Sequence, residues 1–232
     1  MRLLASGLAD RLGGDVPVGV AYLEAMRPTL AEAAAQQVGQ GVDCLLVQPF
    51  LLGEGQHPLE ARCLAQALRE RWPGLQVALG RPLARHPLLL EVLLERLRGL
   101  LDGEEGPWGV VLVKAFTRLK GGDLGWLEEL ADGLSRRLGP GFRVAAAQSG
   151  PGPPSIAQAA ATLAPHVRAL AVFPCLFFEG KIWGRDIAPA VESLRKEWRQ
   201  GPVVLGRPLG VDERITAVVW ERVRELWREL EG

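Results

Sequence analysis

His57 is the residue best placed in the sequence to do chemistry. It closes the stretch Leu51-Leu-Gly-Glu-Gly-Gln-His57, whose two glycines let the backbone come close to a ligand, and it stands just before Pro58 and a helical pattern. A neutral imidazole there can bind a divalent transition metal, or accept a proton near neutral pH. Glu24 ends an apolar run expected to reach the same rim, so a carboxylate could work beside the ring. The residues alone also admit a plainer reading of His57 as an exposed polar side chain before a proline. His86 precedes Pro87 at a helix start and reads as a cap, while His166 falls at a helix end, where a cation suits the dipole.

Other chemistries find little support. The glycines form neither a GxGxxG nor a Walker pattern, and no nucleophile elbow or Ser/His/Asp order is present. Cys44, Cys63 and Cys175 are too far apart for a CxxC site, and Cys44 and Cys175 lie in apolar runs that predict burial. Lys and Arg number 27 and Asp and Glu number 27, so no charge excess draws the chain to nucleic acid or anionic lipid, and neither is expected as a partner. The opening Met1 to Ala5 is soon broken by Asp10 and Arg11, too early for a signal or membrane segment, which predicts a cytoplasmic protein. Most of the tryptophans recur at helical spacing and read as packing, with Trp183 expected in a loop over a ligand cleft.

The elements that must position these residues are written twice. Gly80-Arg-Pro-Leu83 recurs as Gly206-Arg-Pro-Leu209, 126 positions later. Pro28-Thr-Leu30 matches Pro154-Ser-Ile156, Trp72 matches Trp198, and Arg11-Leu-Gly13 matches Arg137-Leu-Gly139 at the same offset. In the first copy, apolar runs predict strands over Val18–Glu24, Val42–Phe50 and Gln76–Leu79, with helices from Pro28, Pro58 and His86. In the second, strands are expected near Phe142–Ala147, Ala169–Pro174 and Val203–Leu205, with helices from Pro154, Asp186 and Asp212. This alternation predicts an α/β protein of two tandem halves, each a small parallel sheet flanked by helices. The halves are expected at 1–103 and 107–232, joined by a linker over 102–108.

Ahead of its matched region the second copy has a further strand, Gly109–Lys114, and a helix from about Asp123 to Leu138. The offset sets Met1 opposite Leu127, inside that helix. The first copy therefore lacks the counterpart of that strand, and two accounts stand: a true start with an incomplete sheet, or a start placed too far downstream, which is favoured since the neighbours of a lost central strand would be left with open edges.

Val18-Gly-Val-Ala-Tyr-Leu-Glu-Ala-Met-Arg-Pro-Thr-Leu30, Val47-Gln-Pro-Phe-Leu-Leu52 with Gly55-Gln-His57, and Gly80-Arg-Pro-Leu83 with His86-Pro87 together resemble the sirohydrochlorin chelatases of the CbiX type. The second half, with Phe173-Pro-Cys-Leu-Phe-Phe-Glu-Gly-Lys181, is similar to the second domain of the long members. The resemblance implies flavodoxin-like half-domains and insertion of cobalt or ferrous iron, less often nickel, into sirohydrochlorin on the way to cobalamin or sirohaem. The metal is then a substrate, and no tightly bound cofactor is expected. His57 is implied as metal ligand and proton acceptor, with Glu24 beside it, in a cleft between the halves. Because the substrate class carries many carboxylates, Arg27, Arg81, Lys181, Arg185 and Arg207 become candidate anchors. Family members usually carry another histidine after the first strand. Here that segment has no counterpart in the first copy and reads Lys114-Ala-Phe116 in the second, so one site centred on the first half is expected, in a monomer or weak homodimer. Two other classes stay open: a non-catalytic tetrapyrrole- or metal-binding descendant of a chelatase, and a two-lobed small-ligand receptor.

Overall fold

The computed structural model describes residues 1–23, 26–53, 55–101, 107–117 and 124–231. Its helices are α1 (Arg2–Arg11), α2 (Leu30–Gly39), α3 (Gln56–Arg71), α4 (Pro87–Leu100), α5 (Gly125–Leu138), α6 (Ile156–Leu163), α7 (Ala188–Glu197) and α8 (Glu213–Glu231). Its strands are β1 (Cys44–Val47), β2 (Gln76–Leu79), β3 (Trp108–Lys114), β4 (Phe142–Gln148), β5 (Ala169–Pro174) and β6 (Val203–Leu205). All strand pairs are parallel, as the strand-helix alternation requires.

The sequence repeats and the compact units do not coincide. One unit holds residues 1–86 together with 211–232, and the other holds 87–210. The last helix of each repeat is therefore exchanged: α8 covers β1 and β2, while α4 packs with α5. The repeated Gly-Arg-Pro-Leu stands immediately before each crossing.

In the contiguous unit, β3 is flanked on both sides in the order β4-β3-β5-β6. Every β3 residue is buried, from Trp108 to Lys114, which explains why its sequence is a continuous apolar run. Trp108 thus opens a strand and does not belong to a linker. The core here is aliphatic, with Val111, Val113, Leu170, Val172, Ile187 and Val191 fully buried.

Among the described residues the strands of the first unit are β1 and β2, over a core that includes Ala34, Ala65, Leu68, Leu75 and Val77. The stretch expected as a strand over Val18–Glu24 forms none as far as Leu23, and Glu24 itself lies outside the described residues. Tyr22 makes one bridge, to Thr29. The second repeat gives the reason: the matching strand β4 pairs with β3 alone, and nothing among the described residues of the first unit takes the place of β3. The same lack corrects the reading of Cys44. Across Pro49 and Pro174 the offset between the copies falls to 125, so the counterpart of Cys44 is Ala169, buried beside Trp108, whereas Cys44, on a strand that has no such neighbour among the described residues, is exposed.

Local chemistry is copied more faithfully than the sheets. The Thr29 N–H donates to Glu32 Oε2 at 2.9 Å while Thr29 Oγ1 accepts from the Glu32 N–H at 3.3 Å, a capping box that starts α2. Ser155 and Gln158 do the same for α6 at 2.8 and 3.2 Å. The Arg69 guanidinium donates to the Val77 carbonyl at 2.8 and 3.1 Å, and Arg195 to that of Val203 at 2.9 Å, fixing α3 on β2 and α7 on β6.

The repeated tetrapeptide is explained in the same terms. The Gly80 N–H donates to Val47 O, the Leu83 N–H to Leu51 O at 2.8 Å and the Ala84 N–H to Leu52 O at 2.6 Å. In the second copy Gly206, Leu209 and Gly210 donate to Val172, Leu176 and Phe177. Leu83 and Leu209 anchor these turns as fully buried side chains. A Cβ on Gly80 would fall 2.0 Å from Gln48 Oε1, and one on Gly206 would fall 2.8 Å from the Phe173 ring. Gln48 cannot simply move aside, because its Nε2 donates to Pro49 O at 3.0 Å and Arg81 O at 2.9 Å. Gly80→Ala is expected to cost about 1–2 kcal/mol, the value of the hydrogen bonds that Gln48 must give up. Gly80→Ala combined with Gln48→Ala should cost less than the two single changes summed, as measured by urea unfolding.

Candidate active site

His57 is the second residue of α3, so the loop expected to carry it ends two residues earlier, at Gly55. Gly55 precedes the helix at φ 154°, ψ −158°, a conformation essentially reserved for glycine, and this sharp entry sets His57 on the rim beyond the carboxyl ends of β1 and β2. Pro58 is buried beneath it and His57 is exposed. Its Nδ1 lies 3.5 Å from Glu60 Oε2, one helical turn on, at the outer limit of a hydrogen bond. Glu60 was not read from the sequence. Its signal was the i,i+3 spacing, visible only once α3 is known to begin before His57.

The other expected residues are dispersed. Glu24 lies outside the described residues. Arg27 is exposed and its Nη1 donates to Glu32 Oε1 at 2.7 Å. The Thr29 N–H, with help from Arg27, holds the Glu32 carboxyl below its ordinary value. Arg81 Nη2 lies 3.1 Å from Glu229 and 3.6 Å from Glu225 of α8. In the contiguous unit, Lys181 and Arg207 are exposed, and Arg185 pairs with Asp186 at 3.2 Å. Trp183 is not in an open loop: it opens a π-helical turn, Trp183–Ile187, and packs half-buried against the aliphatic core.

Under α8 the first unit holds a group of charges that sequence reasoning did not assemble. His86 is buried, with Nε2 at 3.6 Å from Glu225 Oε1, and the equally buried Arg222 donates to Glu225 Oε2 at 2.6 Å. Burial lowers the His86 pKa from 6.5, the Arg222 charge lowers it further, and Glu225 and Glu221 oppose them.

A model of the CbiX family matches residues 1–100 and again 127–226, the same offset that relates the two repeats. The chain belongs to the CbiX family. Among curated relatives, a sirohydrochlorin cobaltochelatase of Sulfurisphaera tokodaii is 38% identical over 76 residues, 32% of this chain and 60% of that protein. A chloroplastic sirohydrochlorin ferrochelatase of Arabidopsis thaliana is 31% identical over 98 residues, 42% of this chain and 44% of that protein. The chain thus spans less than two thirds of the length of these relatives. Among solved structures, SirB from Bacillus subtilis with Fe3+ superposes with a TM-score of 0.79 at 19% identity, covering 98% of this chain and 90% of SirB, a likeness of fold.

Within this CbiX chain, the end of the second repeat's central strand is built for internal bonding. Lys114 is buried and its Nζ donates to Ala115 O at 3.1 Å and Gln148 Oε1 at 3.2 Å, while Gln148 Nε2 donates to Pro153 O at 2.8 Å. Cys175, at the end of β5, is wholly buried, and burial pushes its thiol up to about 12, so it stays protonated and unreactive near neutral pH. Among the described residues no three of His, Cys, Asp and Glu gather as metal ligands, and no helix is long and apolar enough to cross a membrane.

The lowered pKa of His86 has a stability consequence of definite sign. The unfolded chain takes up the imidazole proton near pH 6.5 and the folded chain only at lower pH, so stability falls as the pH drops below about 6.5. Thermal melts between pH 7.5 and 5 should show that decline, and His86→Gln should flatten it; an unaltered slope would remove His86 as its source.

Proposed function

We propose that this chain inserts a divalent metal, cobalt or ferrous iron, into sirohydrochlorin, with His57 as metal ligand and proton acceptor. The observation that carries the reading is an exposed histidine, paired with a carboxylate, on the ligand-gathering rim of a CbiX-family unit. The names of the two curated relatives, one a cobaltochelatase and one a ferrochelatase, support the substrate and leave both metals in play.

The chemistry asks for such a group. A metal entering a tetrapyrrole must shed its water shell while two pyrrole N–H protons leave. Neutral imidazole can replace a metal-bound water and can also take a proton. A carboxylate oxygen only accepts, so a bond from Nδ1–H to Glu60 would leave the Nε2 lone pair for a metal, the arrangement by which a carboxylate commonly orients a metal-binding histidine. Glu24 is proposed as a second carboxylate at the site. Arg27 and Arg81 are proposed as anchors for the carboxylates of the macrocycle, each already beside an acidic side chain that a substrate carboxylate would have to displace.

His57→Ala should slow metal insertion about 100-fold or more, followed by the metal-dependent change in the absorbance of sirohydrochlorin. A variant that keeps most of the wild-type rate would refute the assignment of His57. Tetrapyrrole binding by the wild-type chain, with no metal-dependent change in absorbance, would mark it as a binding protein.

A further inference from the structure

Helices α4 and α8 occupy matching places in the two repeats. Glu95-Arg-Leu-Arg98 of α4 stands opposite Glu221-Arg-Val-Arg224 of α8 at the offset of 126. At the next position the match ends: α4 has Gly99 where α8 has Glu225, and the residue opposite His86 is Asp212. The carboxylate and the histidine that meet under α8 are therefore features of the first unit, the one that carries His57.

Glu225 is the hub of that group. It accepts from Arg222 at 2.6 Å and lies 3.6 Å from both Arg81 Nη2 and His86 Nε2, while Arg81 also reaches Glu229 at 3.1 Å. Arg222 and His86 are buried, and a buried guanidinium needs a nearby carboxylate to be tolerated at all. Arg81 and His86 bracket the turn whose Leu83 and Ala84 amides hold Leu51 and Leu52. The main chain of the same turn is tied in as well, through Gln48 Nε2 to Arg81 O and the His86 N–H to Leu83 O. Leu51–Leu52 is the strap that leads from β1 through Gly55 into α3 and His57.

We propose that Glu225 is a positioning residue for His57: by gathering Arg81, His86 and Arg222 it seats α8 on the Gly80–Ala84 turn and thereby fixes the strap from which α3 starts. The functional half of this inference rests on the reading of His57 given above. The glycine at the matching position of α4 is consistent with it, because the matching strap in the second repeat, at Leu176–Phe177, leads to Ile182, a residue with no ligand chemistry, where the first leads to His57.

The test uses the full-length chain carrying Glu225→Gln, Glu225→Gly or Glu225→Asp. Amide hydrogen exchange at Leu83 and Ala84 should accelerate about tenfold in the Gln and Gly variants and remain slower in Asp, while Leu209 and Gly210, which make the same bonds in the second repeat, keep their wild-type rates. Turnover of metal insertion should fall about tenfold in the Gln and Gly variants, recover partly in Asp, and leave KM for the tetrapyrrole within about twofold. Unchanged exchange at Leu83 and Ala84 overturns the proposal. So does equal acceleration at all four amides, which would be general destabilisation, and so does a loosened strap with full turnover. Full insertion activity in His57→Ala would sink the reading of His57 instead, and exchange at Leu83 and Ala84 would still decide whether Glu225 holds the strap.

Discussion

The His57 side of the protein depends on a short set of main-chain hydrogen bonds between the turn after β2 and the strap after β1. Parallel strands deliver their following loops to one edge of the sheet, but nothing in strand pairing fixes those loops relative to one another. Here the Gly80, Leu83 and Ala84 amides do so, and each part of the tetrapeptide has a task. The glycine admits the neighbouring Gln48 side chain, the leucine plugs the core, and the arginine points out to α8. Without this clamp, β1 would still pair with β2, yet His57 would have no defined place.

Much of the architecture was legible because its determinants are local. β2, β5 and β6 have the bounds expected of them, since each is an apolar run closed by Gly, Pro or both. α2 and α6, expected from Pro28 and Pro154, begin two residues later, behind the Thr29/Glu32 and Ser155/Gln158 capping boxes. What escaped depends on partners distant in sequence. Val18–Leu23 has strand composition, but composition cannot supply the neighbour that β4 finds in β3. Cys44 was expected inside for its apolar flanks, and is exposed for the same want of a neighbour. Of the candidate site, the place of His57 after β1 was legible from its flanking glycines, whereas its nearness to Glu60 needed the exact helix start and the Glu225 cluster needed the helix exchange.

The two repeats show how one backbone can be kept while its side chains part ways. Position 48 is Gln in one copy, bonded to two carbonyls, and its counterpart Phe173 is apolar, packed on Gly206. The first copy presents an exposed imidazole near a carboxylate, and the second turns a lysine inward onto its own carbonyls. Around positions 48 and 173 the backbone hydrogen bonds are the same, Gly80 to Val47 and Gly206 to Val172, so the divergence there is confined to what those bonds hold in place.

The exchange of terminal helices also sets an order of assembly during synthesis. Residues 87–210 are contiguous, so that unit has all of its chain once Gly210 has left the ribosome. The unit carrying His57 must wait for 213–231, which are made after every residue of the other. Until then β1 and β2 lack their α8 cover, and the half that emerges first is the half that is finished last.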